Sequence, residues 1–354
     1  MIRKSRSALH TALLATLILS TPLVGGESGF PLYRASTIEL PASRTAGFSY
    51  VFGPGALNDH GQFVGNFSDS LGDRAFLWDA NGYTELPLES ANDINNASQV
   101  VGVAPFSGGS RAVVWEDGHI IDLGALSGDN SSYGSAINDT GHVAGSSGDF
   151  PNRRAFYWDG TALHPIGEFF PTDINDLNEI VGFPPSGPGI LWRNGVSTQF
   201  NGFIINNALH YPSNGGMWDG EQFVCFDGSS VCDTNMLGAD INENDDVVGV
   251  HFADAFIWNQ ELGLRHLIDL LDPTDPFSAK ISNLQCPDAI NNNRQIVLSC
   301  ATVEGIESEL GYVPILLTPI DKGNQHAVTV PFPVALTVSY AALLILVGLK
   351  SGNA

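Results

Sequence analysis

SYGSAINDTGHVAGS, from Ser132 to Ser146, and RAFYW, from Arg154 to Trp158, form the clearest copy of a pattern that recurs along the chain. In each copy an Asn-containing turn separates two apolar segments, and farther along comes an apolar strand that usually ends in Trp. The Asn of the turn recurs at seven places: Asn58, Asn95, Asn138, Asn175, Asn206, Asn242 and Asn291. A repeat of roughly 35–50 residues is typical of propellers, solenoids and arrays.

One copy predicts four short antiparallel strands. The expected strands are Ser132–Ile137, His142–Ser146, Arg154–Trp158 and Ala162–Ile166. The turn at Asn138 suits a hairpin, because Asn and Asp side chains bond nearby backbone groups and Gly141 tolerates positive φ. Four such strands in roughly 40 residues correspond to one blade of a β-propeller. The 3.6-residue amphipathic period of a helical solenoid is not found in the repeats.

We therefore predict an all-β propeller of about seven four-stranded blades within residues 27–320. The expected blades cover residues 46–88, 90–125, 130–167, 170–200, 201–235, 236–272 and 280–320. The fifth copy is degenerate, because its second strand is hard to recognise. The seventh copy has three strands, whereas a lone strand, Tyr33–Leu40, precedes the first copy. We expect that strand to complete the last blade, which would remove two exposed strand edges.

The two ends of the chain predict export and membrane attachment. Residues 1–26 combine a basic start, an apolar stretch and small residues, which is typical of a secretory signal peptide. After a linker at 321–326, residues 327–350 contain an uncharged stretch that is long enough for a transmembrane helix and is followed by Lys350. A buried terminal helix and a cleaved sorting signal are the alternatives for this segment. The expected location is the cell surface or the periplasmic side of a bacterial membrane.

The charge of the body excludes nucleic acid as a partner. The chain has 15 Lys and Arg and 38 Asp and Glu, and four of the basic residues lie in the end segments. The eleven basic and 38 acidic residues that remain give the body a net charge of about −27. Such a charge repels phosphate backbones.

Four cysteines fit two disulfides in an exported protein. We expect the local pairs Cys225–Cys232 and Cys286–Cys300. A zinc site is the alternative, but the Cys-x-x-Cys spacing of such sites is missing.

The Ile-Asn-Asp-x-Gly-x-Val-x-Gly register, with Ala-Phe-x-Trp downstream, resembles the HAF-repeat family of bacterial extracellular proteins. The resemblance covers about residues 50–317 and is weaker in the fifth copy and in the seventh, which has no Trp. It implies export and a repeat fold, and it implies no defined activity. The Trp-Asp pairs are also similar in style to WD40 repeats, although the Gly-His element is missing, and kelch repeats are a more distant likeness.

The six tryptophans occupy one position of the repeat and are predicted to pack in the core. An exposed ring of aromatic platforms for sugars is the alternative. The tryptophans are Trp78, Trp115, Trp158, Trp192, Trp218 and Trp258.

The strongest hint of a site lies two residues before the Asn of the turn. Asp93, Asp173 and Asp240 stand there in the second, fourth and sixth copies, where other copies have Ala. If this strand is innermost, the three carboxylates would converge at one channel mouth, where they could bind a ligand or a cation such as Ca²⁺. The alternative is that each Asp caps its own turn. No cofactor other than this Ca²⁺ is predicted, and no catalytic residue is assigned.

The sequence favours a binding or scaffold module with an extracellular protein or glycan as partner. Loops on a rigid scaffold usually carry binding, and Gly145–Asn152 and Gly182–Gly189 are candidate loops. The alternatives are a polysaccharide-acting hydrolase or lyase with its site at the channel mouth, and a calcium-dependent adhesin.

Overall fold

The computed structural model describes residues 29–38, 56–69, 72–150, 152–306 and 313–320. The predicted signal peptide and the predicted C-terminal span lie outside these residues. Across the described ranges, no helix has the length and apolarity needed to cross a bilayer. Within the unit that begins at Pro31, the chain forms seven antiparallel sheets. The expectation of an all-β propeller with seven blades is therefore confirmed.

The strands follow one another blade by blade. β1 (Tyr33–Thr37) comes first and belongs to the last blade. Blade 1 contains β2 (Phe63–Asp69), β3 (Gly72–Asp79) and β4 (Gly82–Leu86). Blade 2 contains β5 (Ser90–Ile94), β6 (Val100–Phe106), β7 (Gly109–Glu116) and β8 (His119–Gly124). Blade 3 contains β9 (Ser132–Ile137), β10 (Val143–Ser147), β11 (Arg154–Trp158) and β12 (Leu163–Gly167).

The remaining blades repeat this order. Blade 4 contains β13 (Phe170–Ile174), β14 (Ile180–Phe183), β15 (Ile190–Arg193) and β16 (Val196–Gln199). Blade 5 contains β17 (Tyr211–Ser213), β18 (Gly216–Trp218) and β19 (Phe223–Cys225). Blade 6 contains β20 (Met236–Ile241), β21 (Val247–His251), β22 (Asp254–Asn259) and β23 (Gly263–His266). Blade 7 contains β24 (Ile281–Ile290), β25 (Ile296–Val303), β26 (Val313–Pro319) and β1.

The fifth blade departs from the expected pattern in a different strand from the one predicted. Its second strand is present as β17, directly after the turn at Asn206. The segment before that turn, which is the innermost strand in the other blades, forms no regular strand. In blade 1 the corresponding contact is a single bridge between Leu57 and Phe63.

β1 closes the ring, as predicted. It pairs antiparallel with β26, from Tyr33 opposite Pro319 to Thr37 opposite Ile315. Beyond the ladder, the Ile320 N–H donates to the Leu32 carbonyl at 2.8 Å. Closure pairs the edge of β26 that would otherwise be exposed, which limits edge-to-edge association there.

Apolar clusters lie between neighbouring blades, and the tryptophans pack against them. Each Trp is the last or next-to-last residue of the third strand of its blade and faces the first residue of the second strand, as Trp158 faces Val143. Trp258 is 3% exposed, and the others are partly buried against the clusters. In blade 7, Leu317 takes this place opposite Ile296. The tryptophans are core residues, and the sugar-platform interpretation is wrong.

Two disulfides join neighbouring segments in the pairs expected from the sequence, Cys225–Cys232 and Cys286–Cys300. The connection between blades 6 and 7 contains the short 3-10 turns Leu267–Leu270 and Ser278–Lys280.

The seven turns that begin with Asn58 and its six counterparts all join an innermost segment to a second strand. They therefore lie at one end of the propeller, which we call the Asn-turn face. The connections between second and third strands lie at the other end, which we call the loop face. The candidate loops Gly145–Asn152 and Gly182–Gly189 are on the loop face, and each lies within one blade rather than between two.

Candidate functional site

The seven asparagines form a closed ring around the Asn-turn face. Each Nδ2 donates to the backbone carbonyl of the corresponding Asn in the next blade, and Asn291 in blade 7 returns to Asn58 in blade 1. The seven N–O distances lie between 2.8 and 3.3 Å. All seven residues are at most 5% exposed. The sequence predicted the turn role of these residues but not their role between blades.

The same amide also holds its own turn. In blade 3, the Asn138 Oδ1 accepts from the N–H of Thr140 at 3.2 Å and from that of His142 at 2.9 Å. Its Nδ2 donates to the Asn175 carbonyl and to Asn178 Oδ1, each at 2.9 Å. Four hydrogen bonds satisfy the full capacity of one buried amide. Of the common side chains of this size, Asn alone combines the two acceptor positions with two donors.

A second ring lies one residue farther along the chain. The backbone N–H of each member donates to the side-chain oxygen of the corresponding residue in the next blade, at 2.7 to 3.2 Å. The members are Asp59, Asn96, Asp139, Asp176, Asn207, Glu243 and Asn292. Four of the seven are carboxylates, so this ring makes the channel entrance acidic.

Asp93, Asp173 and Asp240 link pairs of blades. Asp93 accepts from the N–H of Ile94 at 2.7 Å and from that of Ile137 in blade 3 at 2.9 Å. Asp173 accepts in the same way from Ile174 and from Ile205 of blade 5, each at 2.8 Å. Asp240 accepts from Ile290 of blade 7 at 2.8 Å. A β-bulge directly before each Asp redirects the side chain toward its neighbour.

Asp93 and Asp240 are buried and Asp173 is half-buried. Burial raises the pKa of Asp93 and of Asp173. The pKa of Asp93 stands well above its usual range, mainly because of burial; the Ile137 N–H opposes the shift, and the charge of Asp173 adds to it. Burial raises the pKa of Asp173 to about 6, against the lowering effect of its two N–H donors. Asp93 and Asp173 each bond to the next residue of their own strand and to the adjacent blade, and Asp240 bonds to the adjacent blade.

The rings and the three Asp enclose a cavity of about 160 Å³. Asp93, Asp173 and Asp240 all line it, together with residues of both rings. Its lining contains carboxyls and amides but no Lys, Arg or His. Among the residues that the structure describes, no group of three or more His, Cys, Asp and Glu is arranged to hold a metal ion.

Two acidic residues of the Asn turns are neutralised by arginine. Asp246 is fully buried and accepts from Arg294 Nε at 2.7 Å and from Arg294 Nη2 at 3.0 Å. Glu179 lies 2.9 Å from Arg193 Nε. The charge left uncompensated at the cavity therefore belongs to the ring carboxylates rather than to these residues.

The loop face carries a different kind of surface, which we call the aromatic strip. It consists of Phe150 in blade 3, Phe170 and Phe183 in blade 4, and Phe203 before the turn of blade 5. Successive ring centroids are 6.4, 5.4 and 6.2 Å apart. Phe150, Phe183 and Phe203 are 77, 46 and 47% exposed. The strip joins the two loops in which binding was expected, although the sequence did not single out these phenylalanines.

Large exposed apolar side chains favour the loop face in general. Within the described ranges, the loop face carries Phe106, Phe150, Phe183, Phe203, Val231, Leu237, Phe252 and Ile306. Leu177 is the exposed large apolar residue of the described Asn turns, and Ile120, Val196 and Phe223 lie in the hairpins at the same end. The loop face therefore carries more of these residues, and the channel entrance on the Asn-turn face is acidic.

Comparisons with known proteins give no family assignment. No family model matches the sequence, and no curated protein matches it, so the resemblance to HAF repeats remains a prediction. Solved structures similar to this chain include a gluconolactonase from Xanthomonas campestris, with 11% identity, a TM-score of 0.38, and coverage of 83% of this chain and 98% of that chain. An oligogalacturonate lyase from Vibrio parahaemolyticus has 10% identity, a TM-score of 0.32, and coverage of 80% and 82%. We infer no activity from likenesses at this level.

Proposed function

We propose that this protein is an exported, membrane-tethered binding module of the bacterial cell surface, and that the aromatic strip is its binding surface. The contiguous run of exposed phenylalanines is the observation that carries the proposal. Exposed apolar patches on soluble domains usually mark interaction sites, because water contact with such area is unfavourable. The partner is an extracellular protein or glycan.

The positions of the two ends of the propeller domain indicate which face would point away from the membrane. Tyr33 begins β1 and Pro319 ends β26, and they lie opposite each other at the Asn-turn end of blade 7. The predicted signal peptide precedes this point, and the predicted linker and anchor follow it. An anchor attached here would turn the Asn-turn face toward the membrane and the aromatic strip away from it.

The proposal is tested with the full-length chain in mild detergent and a double variant, Phe150→Ser with Phe183→Ser. Both are screened against arrays of immobilised extracellular proteins and glycans. We expect the double variant to lose binding by about tenfold or more, which is about 1.4 kcal/mol. Phe252→Ser is the matched control, because Phe252 is 76% exposed on the same face but outside the strip. Equal loss in the control, or binding unchanged in the double variant, would contradict the proposal.

A hydrolase or lyase acting on extracellular polysaccharide is the second candidate, with its site in the cavity of the Asn-turn face. The raised pKa of Asp93 and Asp173 favours it, since such shifts cluster at catalytic sites. Against it, both carboxyls accept backbone N–H bonds between blades. Hydrolysis of a polysaccharide panel that is abolished by Asp93→Asn in a protein of unchanged Tm would establish this candidate.

A calcium-dependent adhesin is the remaining alternative. It requires Ca²⁺ to bind to the folded protein and stabilise it. Thermal melts with Ca²⁺ and with a chelator test it, and an unchanged Tm would rule out a structural calcium ion in the repeats.

A further inference from the structure

The aromatic strip crosses three blades and offers a row of apolar contacts. Phe170 lies between Phe150 and Phe183, and Phe183 meets Phe203 edge-on at an interplanar angle of 83°. The rings belong to rigid β-blades or their short loops, so the row is preorganised. A partner with several apolar side chains along one segment could contact successive rings without reordering the surface.

The chemistry of the strip favours a polypeptide over a glycan. All four side chains are Phe, and unlike Tyr or Trp they have no polar atom with which to bond a hydroxyl group. The nearby Thr172 hydroxyl already donates to the Phe203 carbonyl at 2.6 Å. Sugar hydroxyls that lose water against such a surface would find no replacement partner, which costs binding free energy. Apolar amino-acid side chains carry no such cost.

The charges beside the strip favour a basic partner. Two exposed acidic residues lie near the strip in the chain. Asp149 directly precedes Phe150, and Glu168 lies two residues before Phe170. Of the two arginines in this region, Arg154 is paired with a carboxylate, whereas Arg153 packs on a neutral ring and keeps its charge. Arg154 Nη2 lies 2.8 Å from Asp129 Oδ2, and the Arg153 guanidinium lies 3.6 Å from the centre of the Tyr133 ring. The whole chain carries −23, so its field also attracts cations.

We infer that the aromatic strip binds a cationic polypeptide segment, in which apolar side chains contact the phenylalanines and Lys or Arg side chains face Asp149 and Glu168. This inference rests on the proposed function and names its partner class. Apolar contacts supply most of the affinity, whereas the charges raise the association rate and select basic over acidic segments.

A peptide library tests the inference without a known partner. Phage-displayed random peptides are panned on the full-length chain in mild detergent. Individual peptides are then synthesised, and their Kd is measured for the wild type, the Phe150→Ser and Phe183→Ser double variant, and the Phe252→Ser control. We expect enriched peptides to combine aromatic or aliphatic residues with Lys or Arg.

The expected Kd rises at least tenfold in the double variant and stays unchanged in the control. It should also rise several-fold between about 50 and about 500 mM NaCl, because salt screens the charge contribution. A charge variant, Asp149→Asn with Glu168→Gln, should remove most of this salt dependence.

The two levels of the proposal fail differently. Peptides that bind the double variant and the wild type equally would overturn the proposed function of the strip. In two other outcomes the binding needs the phenylalanines and yet is shown by neutral or acidic peptides, or is insensitive to salt. Either result would overturn only the inference that the partner is cationic. A wild-type dimer in light scattering that the double variant abolishes would also overturn it, because the occupant would then be a second copy of the chain.

Discussion

Asn138 shows what the repeat requires of a single side chain. Its amide accepts two backbone N–H bonds inside its own turn and donates two bonds to blade 4. Asp in its place would lack the donors, and Ser would lack the reach and the second donor. The recurrence of Asn at all seven positions therefore follows from a bond between blades as well as from turn preference.

Replacing Asn138 with Ala should destabilise the propeller by about 3 kcal/mol, since it leaves buried N–H and C=O groups without partners. Urea unfolding followed by tryptophan fluorescence measures the change in free energy. Asn81→Ala is the matched control, because Asn81 is exposed and bonds only to Asp79 in a hairpin. We expect a change below about 0.5 kcal/mol there. Equal effects of the two substitutions would refute the structural role of the ring.

At this scale the sequence revealed residue roles within a turn and missed roles across blades. Asn138 was identified as a turn former because its preference is local. The N–H of Ile137 bonds to Asp93, which is 44 positions away in the chain, and no local pattern encodes that contact. The alternation of Asp and Ala was visible, but its meaning required the bulges that aim Asp93 and Asp173 at the next blade.

Among the structural elements, the fifth blade shows how much irregularity the ring tolerates. Its innermost segment is not a regular strand, and a Cβ at Gly202 would lie 2.5 Å from the Tyr211 ring. Gly202 therefore permits a close approach that another residue would prevent. The two longest bonds of the Asn ring, both 3.3 Å, are those that reach and leave Asn206. The ring stays closed but is stretched at this blade.

The strand β1 should be essential to closure. Deleting residues 31–38 would expose the edge of β26 and leave the Ser278 hydroxyl without the Ala35 N–H that it now accepts at 3.1 Å. We expect Tm to fall by about 5 °C or more and oligomers to form through the free edge. Calorimetry and light scattering measure both effects.

Adding a synthetic peptide of residues 31–38 in trans should restore the monomer, and a scrambled peptide of the same composition should not. A deletion variant that stays monomeric with an unchanged Tm would show that β1 is dispensable. The closing role was predictable because it depended on counting strands. The irregular strand of blade 5 was not, because the close contact between Gly202 and Tyr211 depends on the folded blade.

For the whole molecule, buried carboxyls set the pH dependence of stability. Burial raises the pKa of Asp173 to about 6 and that of Asp288 to about 7. In the unfolded chain both ionise near pH 4, so between about pH 4 and pH 7 the unfolded state loses protons that the folded state keeps. Their contribution to stability is therefore full below pH 4 and declines as the pH rises through 7.

We expect Tm to fall as the pH rises from about 4.5 to about 7.5, and the high negative charge acts in the same direction. Asp288→Asn should flatten this decline, since Asn keeps an acceptor for the Ser299 N–H that now bonds to Asp288 at 2.6 Å. Calorimetry across this range measures the slope, with the exposed Asp149→Asn as control. A slope that is equal in both variants would contradict the assignment.

The sequence predicted the blade number, the closing strand and the disulfide pairs, since each follows from counting or spacing. It could not predict the aromatic strip, because Phe150, Phe183 and Phe203 come from three different repeats. Their contact depends on how neighbouring blades lie against each other, and that arrangement is a property of the closed ring.

The Asn ring has a direction. Every amide of this ring donates to the following blade and none to the preceding one, and the backbone N–H bonds of the second ring run the same way. Over a full circle the bond dipoles cancel, and the field in the cavity is left to the carboxylates. A closed ring of bonds also fixes the number of repeats, because the loss of one blade would leave a donor and an acceptor unpaired. A linear solenoid can lose a repeat and remain intact.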